Sequence, residues 1–239
     1  MRLIDTIGKI SYNSIMKKSL IVFLIFLCGC STSQVKTNLI NEDLLKKIVV
    51  FWEFVEKNEN ELFNAFINEQ TVNNEIIRQI NLINENLYVF MNTDIINDKI
   101  DIVISGGGNT DYFELCDRIV EMAPNLVKFN PISLIPPTEE ISIYAIGDLT
   151  LNLEDIQVHF DSGDNIDLLF ILSNNHLSRI QNDNSGQLRS IYMHALFLMT
   201  LEILGERITG NKINSADIAP LPIIIMPIVP FIELKKYID

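Results

Sequence analysis

The sequence predicts an α+β domain in which helices pack on one face of a largely antiparallel sheet. Three observations support this fold class. Apolar residues recur at helical spacing early in the chain, short β-rich segments follow, and a long helical pattern returns at residues 187–204. The predicted order along the chain is therefore a group of helices, then a group of strands, then a long helix. This order disfavours regular βαβ alternation.

The first predicted helix begins at Asn41 and ends near Lys57. Asn41 is a residue type favoured at the N-cap, and Glu42 and Asp43 place negative charge near the positive end of the helix dipole. The sequence ELFNAF predicts a second helical segment after a break near Asn58. A weaker pattern of isoleucines predicts a third helix within residues 71–86.

The glycine-rich stretch Ser105-Gly106-Gly107-Gly108 lies between a predicted strand and a predicted helix. Such a loop could cradle a phosphate, but it lacks the Lys-Ser/Thr ending of a P-loop and the spaced glycines of a dinucleotide fingerprint. Asp111 would also place a carboxylate where the phosphate should lie. Because its spacing to Glu114 fits a capping box, we interpret the stretch as a helix start.

Short β-rich segments fill the middle of the chain. Residues 87–91 and 100–105 predict one hairpin, and residues 157–160 and 166–173 predict another around the turn sequence DSGDN. Residues 141–153 predict one or two further strands. The long helix that follows is expected to end with Gly205 as its C-cap.

The tail alternates prolines with aliphatic residues in the sequence PLPIIIMPIVPF. Its four prolines cannot belong to a membrane-spanning helix, so we expect an edge strand or a packed loop, followed by a short helix.

Charge disfavours some classes of partner. The 239 residues include 18 Lys and Arg against 31 Asp and Glu, a net charge of −13. Without the first 29 residues the counts become 14 and 30, or −16. Such a surface repels phosphate backbones and anionic lipid headgroups, so we expect no nucleic-acid partner.

Residues 16–31 read MKKSLIVFLIFLCGCS and have the three parts of a secretory signal. Two lysines precede a short apolar run, and small residues follow it. The run is well below the ~20 residues that span a bilayer as a helix. Leu27, Cys28, Gly29 and Cys30 resemble the lipobox of bacterial lipoproteins.

The lipobox resemblance implies that Cys30 receives diacylglycerol, that residues 1–29 are removed as a signal peptide, and that the new amino group is acylated by a fatty acid such as palmitate. Residues 1–15 fit this signal poorly, so translation could start at Met16 instead of Met1. Residues 30–40 would form a polar tether, and residues 41–239 a single α+β domain. The protein would thus be attached to a membrane of the bacterial cell envelope.

Once Cys30 carries lipid, Cys116 has no cysteine partner for an intrachain disulfide. Cys116 falls on the apolar face of its predicted helix. A buried thiol in apolar surroundings is inert, and no histidine spacing indicates a base for it. We therefore predict that Cys116 lies in the hydrophobic core.

Carboxylates provide the remaining site candidates. Asp161, Asp164 and Asp167 crowd one predicted hairpin tip and could offer oxygen ligands to Ca²⁺, although a solvated turn explains them better. Glu202 lies near the apolar line of the last long helix and needs a partner or a raised pKa. Glu206 follows one turn later. These two are the candidates for general acid/base chemistry, and a structural salt bridge or helix-end contact is the alternative that we favour.

Three separated patches resemble an uncharacterised family of bacterial single-domain proteins. The patches are Phe51-Trp52-Glu53-Phe54, Ala123-Pro124-Asn125-Leu126 with Pro136-Pro137 after the next strand, and Leu204-Gly205-Glu206. This chain departs from the family pattern at Phe129 and Leu134, and Pro131 interrupts the strand. The resemblance implies an α+β domain and no particular reaction.

These observations predict a lipid-anchored envelope protein that acts as a non-catalytic interaction or ligand-binding module. Its expected contacts are the membrane, through the lipid, and a protein partner; no cofactor is expected. An envelope hydrolase that uses carboxylates is the main alternative. An immunity or stress lipoprotein that occupies one partner is a third possibility.

Overall fold

The structure is a computed structural model that describes residues 42–69, 74–96, 99–138, 143–146, 149–161, 163–219 and 228–238. The chain divides into two compact units, the first ending at Leu134 and the second beginning at Ile135. The predicted α+β class is confirmed. The predicted single domain over residues 41–239 falls into these two units, here called unit 1 and unit 2. The predicted signal peptide (1–29) and tether (30–40) lie outside the described residues.

Unit 1 contains four α-helices and one sheet in its described part. The helices are α1 (Glu42–Lys57), α2 (Glu59–Glu69), α3 (Asn74–Ile83) and α4 (Phe113–Glu121), and the strands are β1 (Tyr88–Ile96), β2 (Lys99–Ser105) and β3 (Phe129–Ser133). Strands β1 and β2 form the predicted antiparallel hairpin, in which Tyr88 lies opposite Ser105. Strand β3 pairs with β2 in parallel, because α4 carries the chain back across the sheet.

The core of unit 1 lies among α1, α3, α4 and the sheet. Its buried residues include Phe51, Ile80, Ile102 and Cys116, so the predicted core position of Cys116 is confirmed. Trp52 is also buried, and its indole Nε1 donates a hydrogen bond to the carbonyl of Ile119 at 2.7 Å. This bond fixes α1 against α4.

The glycine-rich loop is a turn, and its predicted capping box is wrong. Asn109, not Asp111, caps the short 3₁₀ turn that precedes α4, and its side chain accepts from the Asp111 amide. A Cβ at Gly107 would lie 3.0 Å from the Tyr88 ring, and the residue has φ +66°. Glycine is needed there because the chain turns tightly over that ring.

Unit 2 contains the remaining described helices and strands. The strands are β4 (Ile143–Ile146), β5 (Leu149–Asn152), β6 (Gln157–Phe160), β7 (Ile166–Ile171), β8 (Ile213–Ile218) and β9 (Ile228–Pro230). The helices are α5 (Asn174–Gln181), α6 (Gln187–Leu204), α7 (Glu206–Lys212) and α8 (Lys235–Ile238). Strands β4 and β5 form a separate hairpin, and the other four have the order β8-β7-β6-β9.

The described strands form three sheets, where the sequence predicts one. Among them, four pairings are antiparallel and two are parallel, so the largely antiparallel character is confirmed. The parallel pairing of β7 with β8 follows from the three helices that separate these strands in sequence.

Helix α6 lies in the core of unit 2, and most of its residues from Tyr192 onward are buried. Gly205 ends it as predicted, with φ +81°. In the tail, β9 and α8 agree with the expected edge strand and short helix, while residues 220–227 lie outside the described part. Among the described helices none alone is long and apolar enough to cross a membrane; α6 and α7 satisfy that test only together, and they are bent by 113°.

Candidate functional site

The two carboxylates that are candidates for acid/base chemistry lie on either side of the corner between α6 and α7. Gly205 makes this corner, and a Cβ there would lie 2.9 Å from the Pro137 Cδ. The Thr138 amide donates to the carbonyl of Glu202 at 2.7 Å. The segment that begins unit 2 is therefore held directly against the corner.

Glu206 is fully buried at the start of α7. Its carboxylate Oε2 accepts a hydrogen bond from the Ile135 amide at 3.0 Å, and its own amide donates to the Ile135 carbonyl at 2.8 Å. A buried carboxylate requires such donors because burial removes its hydration. The contacts assign Glu206 a structural role.

Glu202 is half-buried, and desolvation raises the pKa of its carboxyl from 4.5 to about 7. Within the described part of the chain, no side chain or amide bonds to this carboxylate. His194 lies eight residues earlier on α6, about 12 Å along the axis. Its Nε2 is buried and has no hydrogen-bond partner among the described residues, and desolvation lowers the pKa of the imidazole. The two groups are too far apart along the helix to exchange a proton directly.

The three aspartates considered as Ca²⁺ ligands, for which the sequence favours a solvated turn, occupy different surroundings. Asp167 accepts hydrogen bonds from Asn214 Nδ2 at 3.0 Å and Ser215 Oγ at 2.6 Å, which lower the pKa of its carboxyl. Asp161 lies 3.6 Å from His159 Nε2, and Asp164 is exposed. In the part of the chain that the structure describes, no three His, Cys, Asp or Glu residues are placed to hold a metal ion.

A solvent-open groove of about 670 Å³ lies between α5 and the start of α6. Sequence reasoning missed it, because α5 is short and polar and was not predicted as a helix. Its α5 wall carries Asn175, Ser178, Arg179 and Asn182, which share one face at spacings of three and four residues. Gln187, Leu188 and Ile191 form the opposite wall.

The loop between the two walls is held by Asp183. Its carboxylate accepts from the Ser185 amide at 3.0 Å, the Ser185 hydroxyl at 2.6 Å and the Leu188 amide at 2.6 Å. These bonds lower the pKa of Asp183, so it is ionised, and they cap α6. Gly186, with φ +71°, allows the turn.

A second contact joins α5 to α6. The hydroxyl of Tyr192, which is fully buried, lies 2.7 Å from His176 Nδ1. Desolvation and then the nearby charge of Arg179 lower the pKa of His176. Helices α5 and α6 are thus held together at two places, by the loop that Asp183 fixes and by the contact of His176 with Tyr192.

No protein-family model, curated protein or solved structure matches the chain. The resemblance to an uncharacterised family therefore stays a prediction. Its motif residues have visible structural roles within each unit: Trp52 bonds to α4, and Pro137 packs on Gly205.

Proposed function

We propose that the protein is a bacterial envelope lipoprotein, anchored through lipid on Cys30, that acts as a non-catalytic binding module. The lipobox-like sequence supports the location, and Cys30 itself lies outside the described residues. Each buried CH₂ of an acyl chain contributes about 0.8 kcal/mol, so two or three chains hold a protein durably at a membrane.

The α5–α6 groove is the observation that carries the binding role. It is open to solvent, its connecting loop is held by Asp183, and its walls present polar side chains toward solvent. Walls that are already held in place lose less conformational entropy on binding than a mobile loop does. The structural use of Glu206 also favours binding over acid/base chemistry at the α6–α7 corner.

An envelope hydrolase is the second candidate, and Glu202 is the observation that favours it. A carboxyl with a pKa of about 7 can act as a general acid or base near neutral pH. Glu202→Gln separates the candidates: a hydrolase would lose activity on its envelope substrate, whereas a binding module would retain its partner.

Gentle detergent extraction of the tagged full chain from membranes, followed by co-purification, tests the binding role. The proposal predicts a stoichiometric envelope partner or ligand that remains with Glu202→Gln. A single protein partner held at one-to-one stoichiometry would indicate the immunity-type role. Recovery of the chain alone, with turnover of an envelope polymer, would contradict the binding proposal.

Metabolic labelling with an alkyne-tagged palmitate tests the anchor, and the neighbouring cysteine offers a matched control. Labelling should persist in Cys28→Ser and disappear in Cys30→Ser. Equal labelling of both variants, or none in the wild type, would contradict lipid attachment at Cys30.

A further inference from the structure

We infer that the α5–α6 groove binds a ligand bearing a single carboxylate, which Arg179 receives. This inference deepens the proposed binding role and rests on it. The relevant ligands share one chemistry, a carboxylate flanked by hydroxyl or amide groups, and could be the end of a peptide or a sugar acid.

Arg179 differs from other arginines of the described chain. Arg78 pairs with Glu75, Arg118 with Glu121, and Arg189 with Asp217. Within the described residues, Arg179 has no carboxylate partner and donates no hydrogen bond. In a chain with 31 acidic and 18 basic residues, an exposed guanidinium that has no carboxylate partner among the described residues is available to an incoming anion.

The neighbours of Arg179 provide the rest of the recognition chemistry. The side chains of Asn175, Ser178, Asn182 and Gln187 make no hydrogen bond to another described residue. These side chains offer both hydrogen-bond donors and acceptors, so they can bond to the hydroxyl or amide groups that flank the ligand's carboxylate. Leu188 and Ile191 add an apolar wall.

Charge favours a monoanion over a phosphate. The ionised Asp183 also lines the groove, and its oxygens already accept from Ser185 and Leu188. Its negative charge penalises a second charge on the ligand, as does the acidic chain as a whole. A single carboxylate needs only one guanidinium, with which it forms a bidentate pair, and Arg179 provides that guanidinium.

The test uses the detergent-solubilised full chain labelled with ¹⁵N-arginine. Titration with acetyl-Ala-Ala, which has a free carboxylate, should shift the Nε–Hε resonance of Arg179, identified by its absence in Arg179→Gln. The amidated peptide acetyl-Ala-Ala-NH₂ should leave it unchanged. Glucuronate is the second probe. Tighter binding of acetyl-Ala-Ala would identify the ligand as the end of a peptide, and tighter binding of glucuronate would identify it as a sugar acid.

Arg179→Gln should weaken binding of the stronger probe about ten-fold or more, since it removes a charge-assisted pair. Arg118→Gln, in unit 1, is the matched control and should bind as the wild type does. Equal binding of the amidated peptide, unchanged affinity in Arg179→Gln, or no shift with either carboxylate would overturn the inference. If the co-purified partner is then still retained, the failure concerns only the ligand class and not the binding role.

Discussion

Ile135 and Glu206 are joined by two hydrogen bonds across 71 residues of sequence. The Ile135 amide donates to the Glu206 carboxylate at 3.0 Å, and the Glu206 amide donates to the Ile135 carbonyl at 2.8 Å. The first residue of unit 2 is thereby fixed to the start of α7. A carboxylate that the sequence indicates as a catalytic candidate thus accepts a hydrogen bond from the Ile135 backbone amide.

Glu206→Ala should destabilise the protein by about 1–3 kcal/mol, because the Ile135 amide loses its acceptor. Glu206→Gln retains an acceptor oxygen and should cost less. Urea unfolding followed by circular dichroism measures both. Glu233→Ala, at a surface ion pair with Lys236, is the control and should change stability by less than about 0.5 kcal/mol. A Glu206→Ala variant as stable as this control would refute the structural role.

Gly205→Ala should destabilise unit 2 more than Gly186→Ala. Both glycines have positive φ, of +81° and +71°, so both substitutions strain the backbone. Only at Gly205 would the new Cβ also lie 2.9 Å from Pro137, while at Gly186 the space is open. We expect about 1 kcal/mol for Gly186→Ala and about 3 kcal/mol or more for Gly205→Ala. Equal thermal shifts would show that Pro137 does not constrain the corner.

Trp52→Phe should destabilise unit 1 by about 1–3 kcal/mol. The substitution removes the bond from Nε1 to the buried Ile119 carbonyl and leaves that acceptor unsatisfied. Because Trp52 is the single tryptophan, its fluorescence in the wild type reports on unit 1. Unfolding of the wild type and of Trp52→Phe can be compared by circular dichroism. An unchanged unfolding midpoint in the variant would contradict a stabilising bond from Trp52 to Ile119.

Glu202→Gln should stabilise the protein at high pH and have little effect at low pH. The folded pKa of about 7 exceeds the ordinary value of 4.5, so the folded state binds a proton that the unfolded state releases. The stability that the protonated carboxyl confers is fully present below about pH 4.5 and is lost as the pH rises through about 7. At pH 8 the free energy of unfolding of the glutamine variant should therefore exceed that of the wild type by up to about 3 kcal/mol.

Urea unfolding of the wild type and Glu202→Gln at pH 4.5 and pH 8 measures this difference. Glu154→Gln, at an exposed carboxylate, serves as the control and should behave alike at both pH values. A Glu202→Gln variant whose advantage does not grow with pH would show that the carboxyl is not desolvated.

The sequence predicts the long and strongly patterned elements of this fold. Helix α1 and the hairpin of β6 with β7 carry clear apolar periodicity, and helix α6 is a long segment that is apolar nearly all round and ends at a glycine. Helix α5 and strand β8 were missed, because both are rich in polar residues and lie partly exposed. Helix α5 packs against α6, and strand β8 pairs with β7. These contacts are distant in sequence, so a local sequence pattern does not reveal them.

The candidate sites were less predictable than the fold. Glu202 could be recognised as a carboxylate on an apolar helix, and its raised pKa follows from that burial. The partner of Glu206 is a backbone amide far away in sequence, which only the folded chain brings near. The carboxylate binding that we infer for the groove depends on Arg179 having no carboxylate partner among the described residues, and such pairing is decided by neighbours in the folded chain.

Intact-mass analysis of the membrane-extracted protein tests the central claim, attachment of a folded binding module through Cys30. The account predicts a mature chain that begins at Cys30 and carries the added mass of diacylglycerol and a further acyl chain. An unmodified chain in the soluble fraction that still contains residues 1–29 would contradict it.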